Sequence, residues 1–296
     1  MSILNRESDG LLSALVALCR ALQAYGPQSE DALLRLIAPP TAVQGKRNLA
    51  GKTLTRWKQL GFFLEGDGRI RLSDQFANIS VDDFDALRMA VLKLVLQATN
   101  NPGLDREADS ADEKSRASDC THAMAWALAQ DPYDFPTGYK DAEALQDQQG
   151  VIPRPFTNDT RWPAFLEWAT FLGVGLKTAR VGFVPVPSFA VQAVLPVVFG
   201  EVRVLAQAEF FERLAESLPI VDGGSFRLQL ASHTTQPSRT ESGTDVSPSL
   251  SAALLTLESS GVLRLEEKSD APQRMLLGRG GRPLHRLSHI ERLEAA

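Results

Sequence analysis

Between residues 46 and 59 six polar side chains have the types and spacing to grip a polyanion: Lys46, Arg47, Lys52, Thr55, Arg56 and Gln59. They interleave with Leu49, Leu54, Trp57 and Leu60, which recur at helical spacing and mark the buried stripe of a helix over about Lys46 to Leu60. The six polar residues are then expected on the outward face. Arginine and lysine fit phosphate oxygens and guanine edges, and glutamine can pair bidentately with adenine, so the set suits a helix in a DNA major groove. Lys58, Arg69 and Arg71 are placed to flank it on backbone phosphates. From Lys46 to Arg71 there are seven basic residues against two acidic ones, Glu65 and Asp67, in a chain of net charge −5. The competing reading is an ordinary solvated helix face. Trp57 shares the stripe of Leu54 and Leu60 and reads as core, not as a base-stacking platform.

Other candidates are weaker. His285 and His289 are four apart on an expected final helix, a separation that lets two imidazoles share a metal, but no glutamate lies between them and no metal is expected. Cys19 and Cys120 form neither a disulfide framework nor a zinc pattern. Asp222-Gly223-Gly224 reads as a turn opening a hairpin over Phe226 to Leu230, because one carboxylate alone is not an acid/base pair. Arg279-Gly-Gly-Arg282-Pro283 is one glycine longer than the Arg-Gly-Arg-Pro core of minor-groove hooks, and reads as a basic connector before the final helix. Phosphate loops, a nucleophile elbow and the HExxH pattern are missing, so the expectation is a protein without catalysis, cofactor or small-molecule substrate.

The elements that would position the basic helix are legible nearby. Ser8 and Asp9 can cap a helix through Leu22 that Gly26-Pro27 ends, and Ser29 caps a second, with Glu30 and Asp31 in its first turn. Gly61 suits a left-handed cap after Leu60, and Phe62 to Leu72, folded at Gly66-Asp67-Gly68, reads as a two-stranded wing. The outline is a winged helix. It recurs 200 residues downstream, where Leu254, Leu257, Gly261, Val262 and Leu263 match Leu54, Trp57, Gly61, Phe62 and Phe63, with Lys268 to Pro272 as the turn of a second wing. A fainter copy has Trp162, Phe165, Trp168, Ala169 and Leu172, then Gly173 and a hairpin through Lys177 to Val184.

The fold class expected is therefore mainly α with small β-hairpins (α+β), as three tandem winged helices: residues 1–80, 81–187 and 188–296. Phe84 to Leu96 and about Ser115 to Ala129 supply the first helices of the middle segment, and Ser188 to Val198 and Ala206 to Leu218 those of the last. Asn100 to Asp112 reads as an acidic connector, Pro132 to Pro155 as a polar loop and 232–248 as a mobile strap. Charge is uneven: +3 over 1–80, −8 over 81–150, −1 over 151–246 and +1 over 247–296, so a polyanion should meet the first segment. Ser249 to Ser260 has Glu258 and no Lys or Arg, and packing or oligomerisation is the role expected of the last domain and of the middle one. No run is apolar enough to cross a membrane and no secretory signal opens the chain, so a cytoplasmic protein without a membrane partner is expected.

Five stretches, SILNRESDGLLSALVALCRAL, LIAPPT, KTLTRWKQLGFF, SLPIVDGG and LSHIERL, resemble the DpdG family of bacterial defence loci that install 7-deazaguanine derivatives in DNA and restrict DNA lacking them. The resemblance touches both ends of the chain and carries no catalytic residue. It implies an accessory subunit working beside helicase- and nuclease-type partners. The residues and the resemblance together predict a non-enzymatic double-stranded-DNA-binding subunit. The alternatives are a winged-helix scaffold that binds other protein subunits through the same face, or a transcriptional regulator.

Overall fold

The computed structural model describes residues 3–4, 11–38, 44–80, 82–102, 116–179, 182–235 and 244–293, with backbone alone for 44–48. The fold is mainly α with small sheets of two or three strands. The chain divides into two compact units, residues 1–120 with 158–168, and residues 121–157 with 169–296. This division does not follow the expected boundaries at 80 and 187: the middle segment contributes to both units.

In unit 1, α1 (Leu12–Tyr25), α2 (Glu30–Ile37) and α3 (Gln44–Leu60) precede a ribbon of β1 (Phe63–Gly66) and β2 (Arg69–Leu72). Ser29 caps α2 by accepting from the Ala32 amide at 3.3 Å, while Ser8 and Asp9 lie outside the described residues. Leu15, Leu18 and Leu22 of α1, Leu33 of α2 and Leu54, Trp57 and Leu60 of α3 are buried together with Phe62, Phe63 and Ile70. Asp67 and Gly68, with φ of 52° and 70°, make the two-residue left-handed turn that matches the twist of an antiparallel ribbon. Gln28, between α1 and α2, exchanges both backbone hydrogen bonds with Ile70, at 3.1 and 2.7 Å, and so adds a third line to the ribbon. Trp57 packs on Trp168 (centroids 5.4 Å apart) and edge-on to Phe62, which in turn stacks on Phe76. The helix α4 (Phe84–Leu96) follows, and Asn100, buried in the expected connector, donates its side-chain amide to the carbonyls of Leu60 and Leu94. Residues 103–112 of that connector lie outside the described residues.

Two helices are divided between the units: most of α5 (Ser118–Ala129) belongs to unit 2 and most of α7 (Arg161–Phe171) to unit 1. Between them α6 (Tyr139–Gln149) replaces the expected polar loop. It presents only Ala142 and Gln146, four residues apart, as buried side chains, too short an apolar stripe to register in the sequence. Unit 2 continues with a ribbon of β3 (Leu176–Thr178) and β4 (Gly182–Val184), then α8 (Ser188–Phe199), β5 (Val204–Ala206) and α9 (Gln207–Ser217). The expected hairpin from Phe226 to Leu230 is instead α10 (Ser225–Ser232), and Asp222 accepts the Ser247 amide at 2.7 Å, which gives its carboxylate a structural task. Residues 236–243 of the expected strap lie outside the described residues.

The last segment runs β6 (Asp245–Val246), α11 (Pro248–Ser259), β7 (Leu263–Glu266), β8 (Arg274–Leu277), β9 (Pro283–Leu287) and β10 (His289–Arg292). Its sheets are ordered β5-β10-β7 and β6-β8-β9. Two expectations are corrected here. Lys268 to Pro272 is not a wing turn, because β7 and β8 belong to different sheets and the partner of β7 is β10. The final helix is two strands. At Ser288, whose amide and hydroxyl both reach the Glu266 carbonyl, the chain passes from one sheet to the other. That step changes the phase of side-chain alternation, so Leu287 and Ile290 are both buried although three apart, a spacing that imitates a helix.

Candidate nucleic-acid interface

The outer surface of α3 is built by what its inner surface buries. Of the expected stripe Leu54, Trp57 and Leu60 are buried and Leu49 is half-buried, while Ala50, Thr53 and Arg56 are also buried, the last only 2% exposed. Arg56 is therefore a correction: it is not an outward DNA-contacting residue. Its guanidinium donates to Gln59 Oε1 at 3.2 Å and lies near the fully buried carboxylate of Asp119. Burial pushes the Asp119 carboxyl up to about 6, opposed by the nearby guanidiniums of Arg161 and, more weakly, Arg56. Removing this guanidinium would leave the Asp119 charge buried with one cation fewer nearby.

The remaining predicted residues separate into two groups. Thr55 donates its hydroxyl to the Gly51 carbonyl at 3.0 Å, within the helix. Lys58 is held between Glu65 at 2.7 Å and Glu30 at 3.3 Å, and the bond to Glu65 raises its pKa despite partial burial. Arg71 pairs with Asp74 at 2.5 Å while remaining exposed. Lys52 and Gln59 on α3 and Arg69 on the ribbon are exposed, and Lys52 and Arg69 have no carboxylate partner among the described residues. The side chains of Lys46 and Arg47, on the first turns of α3, lie outside the described residues.

Arg56 had a signal in the sequence. Asp119 sits in the run from Ala117 to Leu128, which is buried almost throughout, and a carboxylate in so apolar a helix requires a cation. His285 and His289, expected four apart on one helix, are on β9 and β10 in different sheets, and His289 Nδ1 meets the Ser288 hydroxyl at 3.0 Å. Among the described residues no three His, Cys, Asp or Glu side chains gather as a metal site. Both cysteines are free and buried, and burial raises both thiol pKa values. No helix among the described residues is long and apolar enough to cross a membrane.

No curated protein and no solved structure matches the chain. A protein family described as DpdG-like matches residues 1–271, and with that share of its length accounted for the chain belongs to the DpdG-like family.

Proposed function

We propose that the protein is a non-enzymatic accessory subunit of a bacterial DNA modification and restriction defence system, and that α1 to β2 form a winged helix contacting double-stranded DNA. Three helices followed by an antiparallel ribbon, with the Gln28 segment bridged to β2, support the winged-helix assignment. The observation that carries the DNA contact is the pair Lys52 and Arg69, one on the third helix and one on the ribbon, both exposed and without carboxylate partners among the described residues. Family membership supplies the defence setting.

Each neutralised phosphate contributes about 0.9 to the slope of log K against log salt. Lys52→Glu with Arg69→Glu should therefore flatten that slope for a duplex by about 1.8. A folded double variant with the wild-type slope removes α3 and the ribbon from the interface. A protein-binding scaffold is the second reading, favoured by Glu30, Glu65 and Asp74, which engage Lys58 and Arg71 and so intersperse negative charge on this surface. A partner complex that survives nuclease treatment, from a protein that does not bind duplex by itself, supports the scaffold.

A further inference from the structure

The last segment of unit 2 concentrates positive charge on a β-hairpin and its turn instead of on its helix α11. From Arg274 to Ile290 the chain has four arginines, two histidines and no Asp or Glu, whereas α11 has Glu258 and no Lys or Arg. The four arginines are not equivalent. Arg274 stacks over the Phe211 ring, 4.7 Å from its centroid, and is committed to packing. Arg279, Arg282 and Arg286 are exposed and form no ion pair among the described residues.

These three arginines sit on a pinned hairpin, not on the basic connector expected from composition. Strands β8 and β9 pair antiparallel, with Leu284 as the extra residue of an irregularity that bends the ribbon near its tip. At the tip the Gly278 amide donates to the Arg282 carbonyl at 2.8 Å, and the Gly281 amide to the Gly278 carbonyl at 3.0 Å. The Gly280 amide donates to Asp131 Oδ2 at 2.6 Å, which ties the turn to the body of unit 2. Gly280 and Gly281 follow one another at φ of 63° and 76°, a left-handed pair that costs a side-chain-bearing residue about 1–2 kcal/mol at each position. Arg279 and Arg282 thus bracket a turn that is already ordered, so binding forfeits little backbone entropy.

We propose that the β8–β9 turn is a second duplex-DNA contact of this protein, in which Arg279, Arg282 and Arg286 neutralise backbone phosphates independently of the α3 surface. The guanidinium fork matches phosphate oxygens, and a narrow glycine-tipped ribbon can approach a backbone closely. Among the described residues Asp131 is engaged by the Gly280 amide, Asp245 lines a cleft with Arg274 and Arg286, and Asp222 acts on Arg274; against the four arginines these three carboxylates leave the local charge positive. A protein partner is disfavoured because stable protein interfaces centre on apolar anchors, and Leu284 is the only large apolar side chain exposed between Arg274 and Ile290.

The test is a fluorescence-anisotropy salt titration of the full chain on random-sequence duplex. Replacing Arg279, Arg282 and Arg286 together by alanine should flatten the log K against log salt slope by about 2.7, at 0.9 per phosphate, with thermal unfolding unchanged. The same three positions as lysine should restore the slope. A wild-type slope in the folded alanine variant overturns the proposal, as does polyglutamate competing as well as duplex at equal charge. If the alanine variant loses slope while Lys52→Glu with Arg69→Glu does not, this contact stands and the α3 reading falls. The converse leaves α3 standing alone, and an unaltered chain that ignores duplex at low salt rejects both.

Discussion

The ends of α3 and α11 make a controlled comparison, because the same local chemistry leads to different surfaces. In unit 1 the Gly61 amide reaches the Lys58 carbonyl at 3.0 Å and the Phe62 amide the Trp57 carbonyl at 2.9 Å. In unit 2 the Gly261 amide reaches Glu258 at 2.9 Å and the Val262 amide Leu257 at 2.9 Å. Both are the two-bond glycine cap that ends a helix and sends the chain directly into a strand. Beyond the cap the units diverge. In unit 1 the strand turns back within two residues and pairs with its neighbour, while in unit 2 its partner, β10, arrives only after β8 and β9 have formed a second sheet. The sheet order is nevertheless shared: Gln28, β2, β1 in one and β5, β10, β7 in the other. A helix cap dictates what the next residue does, and leaves the charge and the length of the excursion free to differ.

The largest effect should separate the two helices by what they pack against. Trp57→Ala removes a buried indole that contacts Trp168 and Phe62, and should cost about 3–5 kcal/mol in urea unfolding. Its positional counterpart Leu257→Ala should cost about 2–5 kcal/mol, and a smaller loss at Trp57 than at Leu257 would undo the reading of Trp57 as the centre of unit 1.

The next contrast is in pH. Asp119 in unit 1 has a folded pKa of about 6 against 3.8 for the unconstrained group, so between those values the folded state holds the extra proton and stability falls as pH rises. His122 in unit 2, buried near His233, is lowered to about 4 from 6.5, so the unfolded state holds the extra proton and stability falls as pH drops. Each is worth about 3 kcal/mol, at 1.36 kcal/mol per pH unit, and the two oppose each other. Unfolding of the intact chain between pH 4 and 6.5 should accordingly vary little from these groups. Asp119→Asn should leave stability that climbs with pH, and His122→Leu stability that declines with it. Parallel slopes in the two variants would dissolve the distinction.

The smallest effect probes the caps themselves. Gly61 and Gly261, at φ of 89° and 71°, have open space where a Cβ would go, so alanine at either should cost only the left-handed conformation, about 1–2 kcal/mol and equal in both. Gly173 makes the same two bonds at the end of α7, but a Cβ there would lie 2.7 Å from Phe189 Cβ, so Gly173→Ala should lose more than either. Thermal unfolding of the three variants ranks them.

The cap glycines, the Ser29 cap, the Asp67-Gly68 turn and the apolar stripes of α1, α3, α8 and α11 were readable because each depends on residues within about two turns of one another. The fates of Arg56 and of residues 274–293 were not. Arg56 lies one helical step from the surface positions beside it, and the buried carboxylate near it, Asp119, is distant in sequence. Likewise α6 and α10 lack a long apolar stripe, and residues distant in sequence meet them: Trp126 donates its indole N–H to Gln149 of α6, and Arg227 of α10 donates to the Ala125 carbonyl.

The sequence by itself determined the mainly helical class, the repeated helix–glycine–strand units and the concentration of cations at 46–71 and 274–290, since propensity, capping and charge are local properties. Tertiary structure alone decided which cations remain available. A guanidinium is withdrawn wherever folding brings it a carboxylate or an aromatic face, as Asp119 does near Arg56 and Phe211 does beneath Arg274, and those partners are 63 residues away in each case.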